Sequence, residues 1–170
     1  SHDPIMDNED EATGIDVETG NGDQSVIFIS GLDFLKDSEV EVLTNSRLAL
    51  EPNDELLFKF LGTSYHIEAT GVGDYDTLNG YWVSIEDYGL TITATIDGVY
   101  TTQILLDLHH LHDVVPAIEF MGDIDGDGIL DLIIDDSDHY NMTSTSLFLS
   151  KPTNEDKILK KVANLTTTGC

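Results

Sequence analysis

The chain is poor in cysteine, and this shortage excludes several classes of protein. Its 170 residues contain one cysteine, Cys170, at the C-terminal end. A single thiol forms no internal disulfide, and it rules out cysteine-rich metal sites and CxxC redox motifs. An unpaired thiol and an intermolecular disulfide both stay open.

Basic residues are also scarce. Lysine and arginine together number 7 against 33 aspartates and glutamates, and the formal net charge is −26. Such a surface repels nucleic acids and anionic membranes, and it favours cations and solubility. We therefore expect no nucleic-acid partner, and we expect a secreted or salt-adapted protein that is extracellular, periplasmic or on the cell surface.

Long apolar runs and catalytic signatures are missing as well. No apolar run approaches the roughly 18 residues that a transmembrane helix needs, so no membrane span is expected. The polar, acidic start does not resemble a signal peptide, and Ser1-His2 is typical of a cloning remnant. The chain has no GxSxG elbow, no phosphate-binding GxxxxGK loop and no HExxH motif. Ser137-Asp138-His139 holds the residue types of a hydrolytic triad, but triad members converge from separate elements, so we expect a binding protein rather than an enzyme.

Short alternating segments and turn residues dominate the rest of the chain and predict an all-β fold. Residues 1–24 are acidic and poor in apolar side chains, which indicates a disordered tail before a β domain over 25–170. We expect one antiparallel β-sandwich or open, curled barrel of about ten strands. Asp97-Gly98 is a typical two-residue hairpin turn. The predicted strands are 26–29, 39–43, 55–61, 65–70, 81–85, 90–96, 99–106, 118–121, 129–134, 145–149 and, with a helix as alternative, 157–165.

Residues 122–132, GDIDGDGILDL, carry the clearest chemical signal. Carboxylates occupy positions one, three, five and nine of a loop over 123–131, with a glycine at the turn position six and a main-chain carbonyl available at position seven. Hard oxygen ligands at this spacing favour Ca²⁺ over zinc or copper. The predicted ligands are Asp123, Asp125, Asp127, the carbonyl of Ile129, and Asp131.

The loop departs from an EF-hand in two ways. Position twelve, which holds a bidentate glutamate in an EF-hand, is Ile134, and the exit is rich in β-branched residues typical of a strand. With its Asp-rich loop followed by Leu-Asp-Leu-Ile-Ile, the segment 117–135 resembles a single FG-GAP or VCBS repeat of the integrin type. The resemblance implies calcium binding in a secreted or cell-surface protein. The unit occurs once, so the propeller fold of those families is not implied.

Two further groups of residues suggest other ligands. In an extended segment His110 and His112 point to one side and His109 to the other, and with Asp113 they could hold Zn²⁺ or Cu²⁺. The alternative is a polar loop with surface histidines. Tyr75, Tyr81, Trp82 and Tyr88 lie close in sequence and could stack on a sugar, although Trp82 could equally anchor the core.

These patterns together predict a calcium-binding β domain in which Ca²⁺ is mainly structural. A role in adhesion or recognition is expected, with a protein or carbohydrate ligand and a monomeric state. The alternative is a secreted metal-dependent enzyme that uses residues 109–112. Residues 73–80 match only two positions of the calcium loop and predict a turn.

Overall fold

The computed structural model describes residues 29, 31–36, 38–96, 98–112, 114–150 and 157–169. The chain divides into two compact units, Ser1–Phe34 and Leu35–Cys170. In the first unit, Ile29 belongs to no strand, and the other residues of the predicted strand 26–29 lie outside the described residues. The tail predicted over 1–24 and Cys170 also lie outside them, so the predictions for both stay predictions.

Alternating apolar and polar residues form ten antiparallel strands in the described part of the second unit. The strands are β1 (Glu41–Thr44), β2 (Leu48–Ala49), β3 (Glu55–Phe60), β4 (Thr63–Asp76), β5 (Tyr81–Ile96), β6 (Val99–His112), β7 (Ala117–Asp123), β8 (Asp131–Asp135), β9 (Met142–Leu149) and β10 (Lys160–Thr168). The last of these pairs with β9 along its length, which confirms a strand rather than a helix near the C-terminus.

The strands form two sheets that share one core. The large sheet has the order β1-β7-β8-β9-β10, with β2 also paired to β7, and the small sheet has the order β3-β4-β5-β6. Apolar side chains of both sheets meet in a single cluster, as the period-two alternation of half-buried strands requires. Fully buried members of it are Ile67, Ile85, Leu90, Ile92, Leu111, Ile118, Leu130, Leu132 and Ile134. This arrangement confirms the predicted all-β sandwich, and neither sheet closes into a barrel over the described residues.

The hairpin predicted at residues 90–106 is confirmed, and it is longer than expected. Ile96 pairs with Val99 across a turn in which Gly98 has φ of +80°, whereas Asp97 lies outside the described residues. Pairing continues down to Ser84 and His112. The segment 107–112 is therefore strand and not a polar loop.

The break predicted between 81–85 and 90–96 is wrong, because both segments belong to β5. Asp87 has a left-handed φ of +50°, and this local distortion stays within the strand pairing. Tyr88 lies between these two segments and was among the aromatic residues considered for sugar stacking. It is fully buried, and its hydroxyl donates to the Leu50 carbonyl at 2.9 Å. Burial of an aromatic ring with a satisfied hydroxyl outweighs the turn signal of the acidic residues around it.

The turn predicted at 73–80 is shorter in the structure. Residues up to Asp76 belong to β4, so the turn begins after Asp76. The Asp76 carboxylate accepts hydrogen bonds from the main-chain N–H groups of Leu78 and Asn79, and from the Asn79 side chain. These bonds lower the pKa of Asp76. The carboxylate closes the turn as aspartates at turns commonly do.

Candidate metal centre

The Asp-rich loop connects two strands that are paired to each other in the middle of the large sheet. Met121 of β7 pairs with Leu132 of β8, and Gly122 pairs with Asp131. Asp123 is the last residue of β7 and Asp131 is the first of β8. The strand predicted from residue 129 therefore begins two residues later, and Ile129 lies in the loop. A strand follows the loop, as predicted, so the helical exit of an EF-hand does not apply.

Three carboxylates converge at the base of the loop. Asp123, Asp125 and Asp131 each bring one oxygen to within 4.8 Å of the others. Two oxygens bound to the same Ca²⁺ at about 2.4 Å can be at most about 4.8 Å apart, so these separations fit a single ion. Asp131 is fully buried, Asp123 is 8% exposed and Asp125 is partly buried. The residues at positions one, three and nine of the predicted loop thus lie together.

Main-chain N–H groups of the loop surround the Asp123 carboxylate. One oxygen accepts from Gly126 at 2.7 Å and Asp127 at 3.0 Å, and the other accepts from Gly128 at 2.8 Å. Gly126 and Gly128 have φ of +76° and +83°, a region in which a side chain is strained. The two glycines therefore allow the loop to curl its N–H groups towards one carboxylate.

The Asp131 carboxylate also accepts main-chain hydrogen bonds, from the start of the loop and from the residue after β9. Its Oδ2 accepts from the N–H groups of Ile124 at 2.7 Å and Asp125 at 3.1 Å. Its Oδ1 accepts at 2.8 Å from the N–H of Ser150, which follows β9. One buried carboxylate thus connects the start of the loop to the end of a strand 19 residues away in sequence.

Burial dominates the electrostatics of Asp131. It raises the pKa of this carboxyl from 3.8 to about 7, with the Asp125 charge adding to the effect, although the hydrogen bonds from Ser150, Asp125 and Ile124 oppose it. Desolvation disfavours the charged form, and neutral N–H dipoles offset only part of that cost. A cation bound to the cluster would favour the ionised form of Asp131.

The other two predicted ligands lie at the outer side of the loop. The Asp127 side chain is exposed, and its oxygens accept from the Ile129 N–H at 2.8 Å and from the Ser150 hydroxyl at 2.9 Å. It does not belong to the group of three. Ligation by Asp127 and by the Ile129 carbonyl stays a prediction.

Ser150 was missed by the sequence analysis, although it bonds to two of the predicted ligands. Its N–H binds Asp131 and its hydroxyl binds Asp127. No spacing rule connects it with the loop, since it lies 19 and 23 residues away from these partners. Its role follows from the pairing of β8 with β9, which places the end of β9 beside the start of β8.

The predicted histidine group is partly assembled. His110 and His112 lie in contact, whereas His109 is 92% exposed beside Asp87, and Asp113 lies outside the described residues. The His112 and His139 rings are 6.4 Å apart, and His139 lines a pocket of about 420 Å³ together with Arg47, Asp135 and Ser137.

Ser137 in this pocket bonds to a carboxylate and not to a histidine. Its hydroxyl donates to Asp135 and accepts from the Ser144 N–H. Burial by itself would raise the pKa of Asp135, but hydrogen bonds from Ser137 and Arg47 outweigh it and lower that pKa. Ser137 is therefore not paired with a histidine, as an activated serine nucleophile commonly is.

The aromatic residues divide between core and surface. Trp82 packs against the core and meets the Tyr75 ring edge-on at 5.2 Å. Tyr75 and Tyr81 are 44% and 49% exposed. Trp82 is thus a core anchor, and a sugar-stacking role for the exposed tyrosines stays a prediction.

Comparison of the chain with known protein families, with curated proteins and with solved structures found no match. The resemblance of residues 117–135 to an FG-GAP or VCBS repeat therefore stays a prediction. Within the described residues, no helix is long and apolar enough to cross a membrane.

Proposed function

We propose that the loop over residues 123–131 binds one Ca²⁺ and that the ion is mainly structural. The observation that carries the proposal is the convergence of Asp123, Asp125 and Asp131 at the base of a hairpin. A fully buried carboxylate whose pKa is raised by desolvation lacks compensating charge, and a divalent cation supplies it.

The donor set favours calcium over the other common divalent cations. All the predicted ligands are oxygens, whereas Zn²⁺ and Cu²⁺ prefer nitrogen and sulfur. Mg²⁺ demands a near-ideal octahedron and keeps most of its waters, while Ca²⁺ accepts six to eight oxygens in irregular geometry. Asp127 and the Ile129 carbonyl would complete such a shell, with Asp127 exchanging its bond to Ser150 for the ion.

The positions of the proposed ligands support a structural role. Asp123 is the last residue of β7, and Asp131 is the first residue of β8, which pairs with β7. The N–H of Ser150, which follows β9, donates to Asp131. An ion that binds only the folded chain stabilises it by mass action. We propose that this domain works in a calcium-containing setting outside the cell, consistent with the charge of −26, and that its outer surfaces recognise a protein or carbohydrate.

The test is calorimetry and native mass spectrometry of the chelator-treated protein with Ca²⁺, Mg²⁺ and Zn²⁺. We expect one Ca²⁺ per chain, bound more tightly than Mg²⁺. Asp125→Asn and Asp127→Asn should each weaken Ca²⁺ binding at least tenfold. Asp76→Asn is the matched control, because Asp76 closes a turn away from the cluster.

Two outcomes would contradict the proposal. One is a chain that binds no Ca²⁺ at millimolar concentration while melting cooperatively. The other is a loss of affinity in Asp76→Asn equal to that in Asp125→Asn, which would indicate diffuse attraction to an acidic surface. If Asp125→Asn weakens Ca²⁺ binding and Asp127→Asn does not, the carboxylate ligands are restricted to Asp123, Asp125 and Asp131.

A further inference from the structure

The C-terminal end of β6 carries two histidines on one side of the small sheet. His110 pairs with Glu86 of β5, and His112 pairs with Ser84. Residues two apart on a strand point to the same face, and the rings meet with centroids 3.9 Å apart. The His110 side chain is 38% exposed, so the pair is accessible from solvent.

The contacts of His110 determine which of its nitrogens carries the proton. Its Nδ1 lies 2.5 Å from the Glu86 carboxylate, so Nδ1–H donates to Glu86. A neutral imidazole that donates from one nitrogen presents a lone pair on the other. The Nε2 atom of His110 is therefore an acceptor, and Nε2–H of His112 donates to it at 2.5 Å.

We propose that His110 and His112 form a second cation site, which takes a divalent transition metal and Cu²⁺ in preference to Zn²⁺. Two imidazole nitrogens at adjacent positions of a square-planar ion with bonds of about 2.0 Å are about 2.8 Å apart, and in a tetrahedral site about 3.3 Å. The separation of 2.5 Å is that of a hydrogen bond, so the rings must move slightly apart and the Nε2 proton of His112 must move to its Nδ1 before both Nε2 atoms can bind an ion. The preference for Cu²⁺ follows from its higher affinity than Zn²⁺ for nitrogen ligands.

Glu86 is the positioning residue of this site. A carboxylate that accepts from the far nitrogen of a ligating histidine fixes its tautomer and orientation, and makes it a better ligand. In the described part of the chain only the aspartate loop brings three metal-binding groups together. We therefore assign the histidine site two protein ligands, with water at the remaining positions. The ligand nitrogens come from the small sheet, whereas the carboxylates of the proposed calcium loop belong to the large sheet and its β7–β8 loop.

The test is titration of the calcium-loaded protein with Cu²⁺, followed by calorimetry and by electron paramagnetic resonance, which reports coordinated nitrogens. All variants are made in a His2→Ala background, so that the His2 imidazole contributes no Cu²⁺ binding of its own. We expect one Cu²⁺ per chain with a signal from two nitrogens. His110→Gln and His112→Gln should each reduce affinity more than tenfold and remove one nitrogen.

Two controls keep the test specific. His109→Gln, on the same strand beside Asp87, should leave binding and spectrum unchanged. Glu86→Gln should weaken binding roughly 10- to 100-fold while both nitrogens stay coordinated. Circular dichroism and thermal melts confirm folding of each variant. Copper binding that survives His110→Gln and His112→Gln, or that falls equally in His109→Gln, would overturn the proposal.

Discussion

Replacement of Asp131 by asparagine should change how stability depends on pH. The folded-state pKa of about 7 exceeds the ordinary value of 3.8, so the folded chain binds this proton more tightly than the unfolded chain does. Ionised Asp131 therefore destabilises the calcium-free fold fully above pH 8, and this cost disappears as the pH falls towards 4. This difference between the folded-state and ordinary pKa of Asp131 corresponds to at most roughly 4 kcal/mol in the free energy of unfolding, because a tenfold change in proton affinity is worth about 1.36 kcal/mol.

The asparagine variant removes the charge but also alters the hydrogen bonds. Asp131 accepts three N–H groups through its two oxygens, and an amide can accept through only one of them. At least one N–H near Ile124 or Ser150 then loses its partner, at a cost of about 1–3 kcal/mol. Above pH 8 the charge cost that the variant avoids, roughly 4 kcal/mol, exceeds this loss, so the variant should be the more stable of the two. At pH 5 the wild type carries a neutral carboxyl, so the variant should be the less stable of the two.

The assay is urea unfolding of calcium-free protein at pH 5, 6, 7 and 8, followed by the fluorescence of Trp82, the one tryptophan in the chain. The free energy of unfolding of the wild type minus that of the variant should fall as the pH rises from 5 to 8. All other titratable groups are the same in both proteins, so their contributions cancel in this difference. With saturating Ca²⁺ the trend should reverse, because the ion requires ionised Asp131 and stabilises only the wild type.

A difference between the two proteins that stays constant over this pH range would refute the reasoning. It would mean that Asp131 keeps an ordinary pKa despite complete burial, and that the loop needs no cation. Asp76→Asn serves as the control, since hydrogen bonds lower the pKa of Asp76 and no trend of this sign follows.

Two further predictions concern the same loop. Without Ca²⁺, Ser150→Ala should lower the free energy of unfolding by about 0.5–1.5 kcal/mol, because the hydroxyl bond to Asp127 is lost and the main-chain bond to Asp131 persists. A larger loss in urea unfolding would contradict this. The calcium-free protein should gain melting temperature as salt rises, because screening weakens repulsion within a chain of charge −26. The calcium-loaded protein should gain less, and equal gains in thermal melts would indicate that the loop is only an acidic turn.

The sequence was sufficient for those features that depend on local pattern. Alternating threonine and apolar residues identified the β5–β6 hairpin, and the Asp-Gly spacing identified the loop whose Asp123, Asp125 and Asp131 converge. It was insufficient where burial overrides local preference. Glu86 and Asp87 have the composition of a turn, yet the strand continues through them because Ile85 and Tyr88 are both buried in the core.

Contacts between distant segments could not be predicted from spacing. Ser150 reaches the loop through strand pairing alone, and Glu86 meets His110 only because the pairing of β5 with β6 continues past a bulge between Leu90 and Thr91. The sequence left open whether residues 107–112 form a strand or a polar loop. The structure has a strand there, and this places His110 beside His112. Side-chain chemistry could be read from the sequence, whereas the partners of each side chain required the fold.

The position of Asp131 has a consequence for the lifetime of the folded state. Its carboxylate contacts the loop after β7 and the residue after β9, so the ends of three neighbouring strands meet at one group. Separating these strands requires release of any ion bound there. If the loop closes late in folding, the ion slows unfolding and leaves the folding rate nearly unchanged. Calcium would then act mainly by slowing unfolding, which protects the chain from proteolysis for as long as the ion stays bound.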